Sequence, residues 1–265
     1  MKIVSWNING FRAITGQNPS RRFDKISHDN KLFDYLNIHQ PDIFVMQEIK
    51  SDFEQIHEDL RTAPGYESYF NSCKIKKGYS GVAVFSKERP IEVRFGFGDS
   101  RFDDEGRILE CIYDDFTLLN IYFPKGYTDH ERLDYKMDFY DYLYSYLSKN
   151  KGREFIISGD YNTAFNENDL ARPNENTNTS GFLKLERDKL AWMFDNGFID
   201  TFRKFNEGNG FYTWWSQRGR ARENNIGWRI DYHIVSSGLE NSLKNSYHQP
   251  SIFGSDHCPI VLELK

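Results

Sequence analysis

Phe155-Ile156-Ile157-Ser158-Gly159-Asp160-Tyr161-Asn162-Thr163 is the stretch on which the fold turns. Three apolar, strand-favouring residues lead to a small residue, a glycine and a carboxylate. A run this short and apolar predicts a buried strand. Gly159 lets the backbone turn sharply at the strand end. Asp160 and Asn162 are two apart, so in extended geometry both face the same way. An Asx turn at a strand end would use the same residues. What weighs against that plainer reading is the recurrence of the pattern along the chain.

The chain has 265 residues, 38% hydrophobic and 28% charged, enough for one large core. One domain spanning residues 1–265 is the simpler expectation, since no linker, low-complexity tail or shift of composition interrupts it. A net charge of −5 argues against a non-specific nucleic-acid coat, but not against an enzyme with a local basic face. Three cysteines, Cys73, Cys111 and Cys258, lack paired spacing, which points to reduced intracellular thiols and gives no zinc signature. No apolar stretch is long enough to span a bilayer and the N-terminus opens in a strand pattern, so neither a membrane nor a signal peptide is expected. The corresponding location is cytoplasmic, or nucleoid-associated in a prokaryote.

Working outward, short apolar strands are predicted over Lys2–Trp6, Asp42–Met46, Gly81–Phe85, Phe116–Phe123, Ile230–Val235 and Cys258–Leu264. Ile91–Gly98 and Arg107–Tyr113 read as antiparallel strands joined by an acidic turn. Lys31–His39, Asp52–Ala63, Arg132–Asn150 and Glu186–Asn196 read as helices. The third carries an apolar stripe of Leu133, Met137, Tyr140, Tyr144 and Leu147. Thr15–Asn30 and Asn166–Ser180 read as polar loops, and loops as long as the second are often functional. Strands outnumber long helices and several are antiparallel neighbours. The predicted class is α/β: packed sheets with helices outside.

Six strands end in a polar signature: Asn7/Asn9, Glu48, Tyr122, Asp160/Asn162, Asp231 and Asp256/His257. If these ends meet at one pole, they form a pocket crowded with carboxylates. Carboxylates crowd only when a cation or a proton offsets their repulsion. Oxygen donors without cysteine or paired histidine suit a hard ion, Mg²⁺ or alternatively Mn²⁺, and such an ion commonly holds a substrate phosphate.

The chain resembles the exonuclease III class of apurinic/apyrimidinic endonucleases, in the endonuclease/exonuclease/phosphatase superfamily. The matching stretches are Trp6-Asn7-Ile8-Asn9-Gly10-Phe11-Arg12-Ala13, Gln47-Glu48-Ile49-Lys50, Gly78-Tyr79-Ser80-Gly81-Val82, Asn120 to Pro124, Gly159-Asp160-Tyr161-Asn162, Tyr212 to Ser216, Gly227-Trp228-Arg229-Ile230-Asp231-Tyr232 and Gly254-Ser255-Asp256-His257-Cys258-Pro259-Ile260. Gly-Asp-x-Asn and Ser-Asp-His specify only metal-assisted phosphoester hydrolysis; Thr-Trp-Trp-Ser and Gly-Trp-Arg-Ile-Asp-Tyr are more specific to the DNA-repair branch.

The resemblance implies a DNase I-like, four-layered α/β sandwich, two mainly antiparallel sheets flanked by helices. It implies a monomeric, Mg²⁺-dependent nuclease that cuts double-stranded DNA 5′ to abasic or damaged sites, leaving 3′-OH, with some 3′-5′ trimming. Glu48 is then a metal ligand, helped by Asn9 or Asp256, and Asp160, Asn162 and His257 are further candidate ligands. Asp160 orients and deprotonates the attacking water, with Asn162 beside it. His257 contacts the scissile phosphate, Asp231 keeps that imidazole charged, Tyr122 donates its hydroxyl to the phosphate, and Asn7 orients Asp160 or the phosphate from behind. Trp214, Trp228 and Ile230 correspond to the family's apolar pocket for a base-less sugar. Asn176, Tyr79, Lys125 and the cations Arg218, Arg220, Arg222, Arg229, Lys74, Lys76 and Lys77 correspond to phosphate or sugar contacts.

The sequence departs from relatives at Arg218, where some carry an apolar wedge, at Lys125, where Asn or Gln is usual, and at Phe165, where His is common. The alternatives are another phosphoesterase of the superfamily and a non-catalytic nucleic-acid-binding regulator on the same fold. The regulator would be expected to lack some of Glu48, Asp160, Asn162, Asp231 and His257, and all are present.

Overall fold

The computed structural model describes residues 1–17, 29–126 and 130–265; most of the loop expected over Thr15–Asn30 lies outside them. Two six-stranded sheets form the centre. The first contains β1 (Lys2–Asn7), β2 (Ile43–Gln47), β3 (Glu67–Asn71), β4 (Val82–Ser86), β13 (Leu243–His248) and β14 (Ile260–Leu264), in the order β13-β14-β1-β2-β4-β3. The second contains β5 (Glu92–Arg94), β6 (Ile108–Ile112), β7 (Thr117–Tyr122), β8 (Phe155–Asp160), β9 (Phe198–Asp200) and β12 (Asp231–Ser236), in the order β5-β6-β7-β8-β12-β9. Each sheet has one parallel pair at its middle, β1 with β2 and β7 with β8, and every other pairing is antiparallel. A two-stranded ribbon, β10 (Trp214–Trp215) and β11 (Gly227–Trp228), stands apart from both.

Strand periodicity separates the layers. Ile3, Val45, Val84 and Leu262 of the first sheet meet Leu109, Leu118, Ile156 and Val235 of the second in the middle of the sandwich. The alternate residues Val4, Phe44, Met46 and Phe85 face outward under α1 (Phe11–Ile14) and α2 (Lys31–His39). On the other side Ile108, Leu119, Ile121, Ile157 and Ile234 lie under α4 (His130–Lys149) and α5 (Lys184–Asp195). The short helices α3 (Ser100–Asp103) and α6 (Thr201–Phe205) complete the set. The arrangement is helix, sheet, sheet, helix, as expected.

Three details differ from expectation. Asp52–Ala63 forms two 3-10 turns, Phe53–Gln55 and Glu58–Leu60, because buried Ile56 is extended (φ −87°, ψ 128°) and splits the stretch. The acidic connection between β5 and β6 contains α3 rather than a turn alone. In α4, Leu133 and Met137 are only partly covered, whereas Lys136 is fully buried.

Gly159 is where the site and the sheet meet. A Cβ there would lie 1.9 Å from the Ile121 carbonyl oxygen on β7, and the residue has φ 151°. Glycine lets β7 and β8 run side by side up to Tyr122 and Asp160, which are register partners.

Candidate active site

The ends of β1, β2, β7, β8 and β12 converge with the Ser255–His257 loop at one pole. Asn7, fully buried, bridges the two sheets: its Nδ2 donates to Glu48 Oε1 at 2.9 Å and to Asp160 Oδ2 at 2.8 Å. Asp160 Oδ1 accepts the backbone N–H of Asn162 at 2.8 Å, and Asn162 is held in left-handed backbone at φ 49°. Asn162 Nδ2 is committed to the Phe123 carbonyl at 2.9 Å. Asp231 is the register partner of Asp160 across β12 and β8, so two buried carboxylates face one histidine. His257 Nδ1 is 2.9 Å from Asp231 Oδ2, and Nε2 is 3.8 Å from Asp160 Oδ2. Thr213 Oγ1 donates to the same Asp231 oxygen at 2.5 Å.

These contacts set the charges. Burial, with the negative charges of Asp231 and Glu48, lifts Asp160 to about 7 against the opposing pull of His257. Burial alone would lower His257; Asp231, bonded to it, with Asp160 and Asp256 outweighs burial and raises it to about 10. Glu48 is held low despite burial, by the Lys50 ammonium and the Asn7 amide. Tyr122 is raised well above its ordinary value by burial and by the nearby Glu48 carboxylate. The site therefore pairs an imidazolium with a carboxyl poised near neutrality.

One ligand-type atom from each of Glu48, Asp160 and His257 lies within 4.8 Å of the others. Lys50 Nζ reaches Glu48 Oε2 at 2.6 Å and also the Asn9 Oδ1, so a positive charge already sits between oxygen donors of this cluster. Asn9 Nδ2 donates to Asp256 Oδ1 at 2.8 Å, and Trp214 Nε1 to Asp256 Oδ2 at 3.2 Å. The donor set is oxygen-rich and anionic, which fits a hard divalent cation. Its imidazole is the poorest fit, since Nδ1 is already engaged by Asp231 and hard cations favour oxygen donors.

A cleft of about 650 Å³ opens over this cluster. Asn9, Glu48, Tyr122, Asn162, Asp256 and His257 form its floor, and Trp214, Trp228 and Ile230 an apolar wall. Lys125, Asn176 and Arg218 also line it, and Lys125 Nζ stands 5.8 Å from the Trp214 ring centre.

Four expected substrate contacts are engaged elsewhere. Arg229 is fully buried and donates to both carboxylate oxygens of Asp169, at 2.7 and 3.0 Å, and of Asp200, at 3.1 and 2.7 Å. It faces the opposite way from Trp228 and Ile230, and braces the fold. Arg222 folds back onto the carbonyls of Pro250, Ile252 and Ser255, between the rings of Trp215 and Phe253. Tyr79 lies outside the cleft lining; its hydroxyl accepts from Arg107 and Arg132, both at 2.9 Å. Lys74 pairs with Asp104 at 2.9 Å.

Sequence reading missed Lys50, Thr213, Ser255 and Arg107. Ser255 Oγ donates to the Asn7 carbonyl at 2.7 Å, and Arg107 Nη1 donates to the Tyr122 carbonyl at 3.0 Å with the guanidinium over the Tyr122 ring. Thr213, Lys50 and Ser255 stand directly beside residues already singled out, or within matched stretches, and that adjacency was the available signal. Buried Arg107 offered none.

The family model for the endonuclease/exonuclease/phosphatase family matches residues 4–257. An exodeoxyribonuclease of Bacillus subtilis (strain 168) is 38% identical over 264 residues, covering 99% of this chain and 98% of its own. A DNA-(apurinic or apyrimidinic site) endonuclease of Dictyostelium discoideum is 37% identical over 265 residues, covering 98% of this chain and 69% of its own. Among solved structures, an AP endonuclease from Archaeoglobus fulgidus superposes with a TM-score of 0.86 at 27% identity, covering 100% of this chain and 99% of that one. The 3′ phosphatase NExo from Neisseria, bound to a product DNA hairpin, superposes with a TM-score of 0.87 at 25% identity and the same coverage.

Proposed function

The chain belongs to the endonuclease/exonuclease/phosphatase family, and on that premise we propose that it is a DNA-repair nuclease that hydrolyses the phosphodiester 5′ to abasic sites in double-stranded DNA. The cut leaves a 3′-OH, and the same site trims 3′ ends. The observation that carries the reading is the juxtaposition, in one cleft, of His257, backed by the buried Asp160 and Asp231 carboxylates, with the Trp214–Trp228–Ile230 wall.

Asp160, buried and near neutral in pKa, takes the proton of the attacking water. Asn7 and the Asn162 amide hold its two oxygens so that it does so in one orientation. His257, charged by Asp231, donates from Nε2 to a non-bridging phosphate oxygen, and Tyr122 donates its hydroxyl to another. Glu48 is the first residue to hold a divalent ion, Mg²⁺ or alternatively Mn²⁺, with Asp160, Asn9 and Asp256 as the further donors. When bound, such an ion neutralises charge on the phosphate and on the leaving 3′ oxygen. Trp214, Trp228 and Ile230 take a deoxyribose without its base, which swings out of the duplex at low cost because nothing is stacked there. Arg218, exposed at the cleft rim, and Lys125 meet the backbone. Every protein group named comes from one chain, so a monomer suffices for this chemistry.

An end-labelled duplex with one tetrahydrofuran abasic analogue, incubated with the protein and Mg²⁺, gives a single cut 5′ to the analogue, and EDTA abolishes it. Tight binding without a cut would replace the nuclease by a binding protein. Neither binding nor cutting would move the substrate to small or lipid phosphoesters.

A further inference from the structure

Two charged side chains that this chemistry does not use lie sealed beneath the cleft. Lys136, on α4, and Glu186, in the first turn of α5, are both fully buried, with Nζ and Oε1 2.7 Å apart. Burying an ion pair is costly, and apolar residues of similar volume often stabilise a fold equally well. What distinguishes this pair is what else it holds. Lys136 Nζ donates to the Asn162 carbonyl at 2.7 Å. Glu186 Oε2 accepts the N–H groups of Gly181 at 2.6 Å and Leu183 at 3.1 Å, and Oε1 accepts the Ser180 hydroxyl at 3.2 Å.

One end of the pair thus grips the turn that presents Asp160 and Asn162, and the other grips residues 180–183, of which Ser180 and Gly181 line the cleft. The two segments are already in contact, since the Ala164 N–H donates to the Gly181 carbonyl at 2.8 Å. Little slack remains: a Cβ on Gly181 would come within 3.2 Å of the Asn162 carbonyl oxygen and 3.3 Å of the Trp228 ring. Asn162 is in left-handed backbone, a conformation asparagine tolerates better than most residues, and its carbonyl there is turned to the Lys136 ammonium.

We propose that Lys136 and Glu186 are positioning residues that fix the reacting carboxylate end of the cleft against its sugar wall. They thereby set both the turnover and the discrimination between a base-less sugar and a nucleotide that keeps its base. This rests on the reading of the cleft given above. The pair touches no substrate; it acts through Asn162 and Gly181.

The test replaces the pair as a unit, Lys136→Met with Glu186→Leu, so that no lone charge is left inside. The expected protein melts within a few degrees of the parent but loses about tenfold or more in kcat with KM little changed, because a misplaced reacting group affects the chemical step. Its preference for the abasic analogue over trimming of an intact 3′ nucleotide falls in parallel. Peptide-resolved hydrogen exchange is expected to show residues 160–164 and 179–183 losing protection together. A folded double variant with parental kcat and parental preference would overturn the inference, as would exchange that changes in only one segment, whatever the substrate proves to be. If the double variant does not fold, Glu186→Gln serves: one amide cannot accept from Lys136, Ser180, Gly181 and Leu183 together. Parental kinetics and exchange in that variant would sink the inference equally. Absence of cutting by the parent protein instead refutes the proposed nuclease, and the exchange result still decides the clamp.

Discussion

Asp160 is surrounded by groups that each pull on its proton, and its neutral isostere separates charge from shape. Asp160→Asn keeps the side-chain volume and the strand register. Cleavage of the abasic duplex is expected to fall by about 10²–10⁴-fold or more, while affinity for that duplex is retained; turnover near the parental rate would remove Asp160 from the chemistry. Two arginines that look alike in the sequence separate in the same way. Arg229, buried with Asp169 and Asp200, is structural: Arg229→Met leaves Asp200 without its ion pair and Asp169 with Arg203 alone, and should destabilise by about 3–5 kcal/mol, read from a urea midpoint. Arg218, exposed at the cleft, is a phosphate contact under the proposed function: Arg218→Ala should leave the melting temperature unchanged and lower the slope of log affinity against log salt by about 0.9. An unchanged salt slope would withdraw that contact.

Strands β1, β2, β7, β8 and β12 were readable because each is a short apolar run ending in polar residues, and the site sits on those ends. Glu48, Asp160, Asp231 and His257 were legible for that reason. What was not legible depends on partners far away in sequence. Lys136 interrupts the stripe of α4 as a surface lysine would, and its acceptors lie 26 and 50 residues further on. Arg229 alternates with Trp228 and Ile230, and only Asp169 and Asp200 reveal which way it faces. β3 and β13 escaped because their faces are half covered and polar, without the apolar run that marked the central strands. Gly159 gives the sharpest test at this scale. Gly159→Ala drives a methyl into the β7 backbone and should cost roughly 3 kcal/mol or more. A melting temperature within a degree or two of the parent would show that β7 and β8 can separate there without loss.

At the scale of the molecule, His233 and His248 among the described residues are held toward the uncharged form. Burial pushes His233 down to about 4, against a hydrogen bond to the Ile260 carbonyl, and burial with Arg229 and Arg203 nearby pushes His248 well below its ordinary value. An unfolded chain takes up these protons near pH 6.5 while the fold refuses them, so the unfolded state binds more protons below that pH. Their contribution is fully present above about pH 6.5 and is lost as pH falls toward 4, by at most about 1.4 kcal/mol per pH unit for each histidine. Urea midpoints at pH 7.5 and 5.0 should therefore differ less in His233→Gln than in the parent; equal differences would show that His233 is protonated inside the fold.

The placement of β1 has a further effect. It is zipped between β2 and β14, and Trp6 Nε1 holds the carbonyl of His257, 251 residues away along the chain. Glu48 and Asn7 come from one sheet, and Asp160 and Asp231 from the other. The site is therefore incomplete in any fragment that lacks either β1 or the Ser255–His257 loop, and it exists only once segments 248 to 251 residues apart have paired.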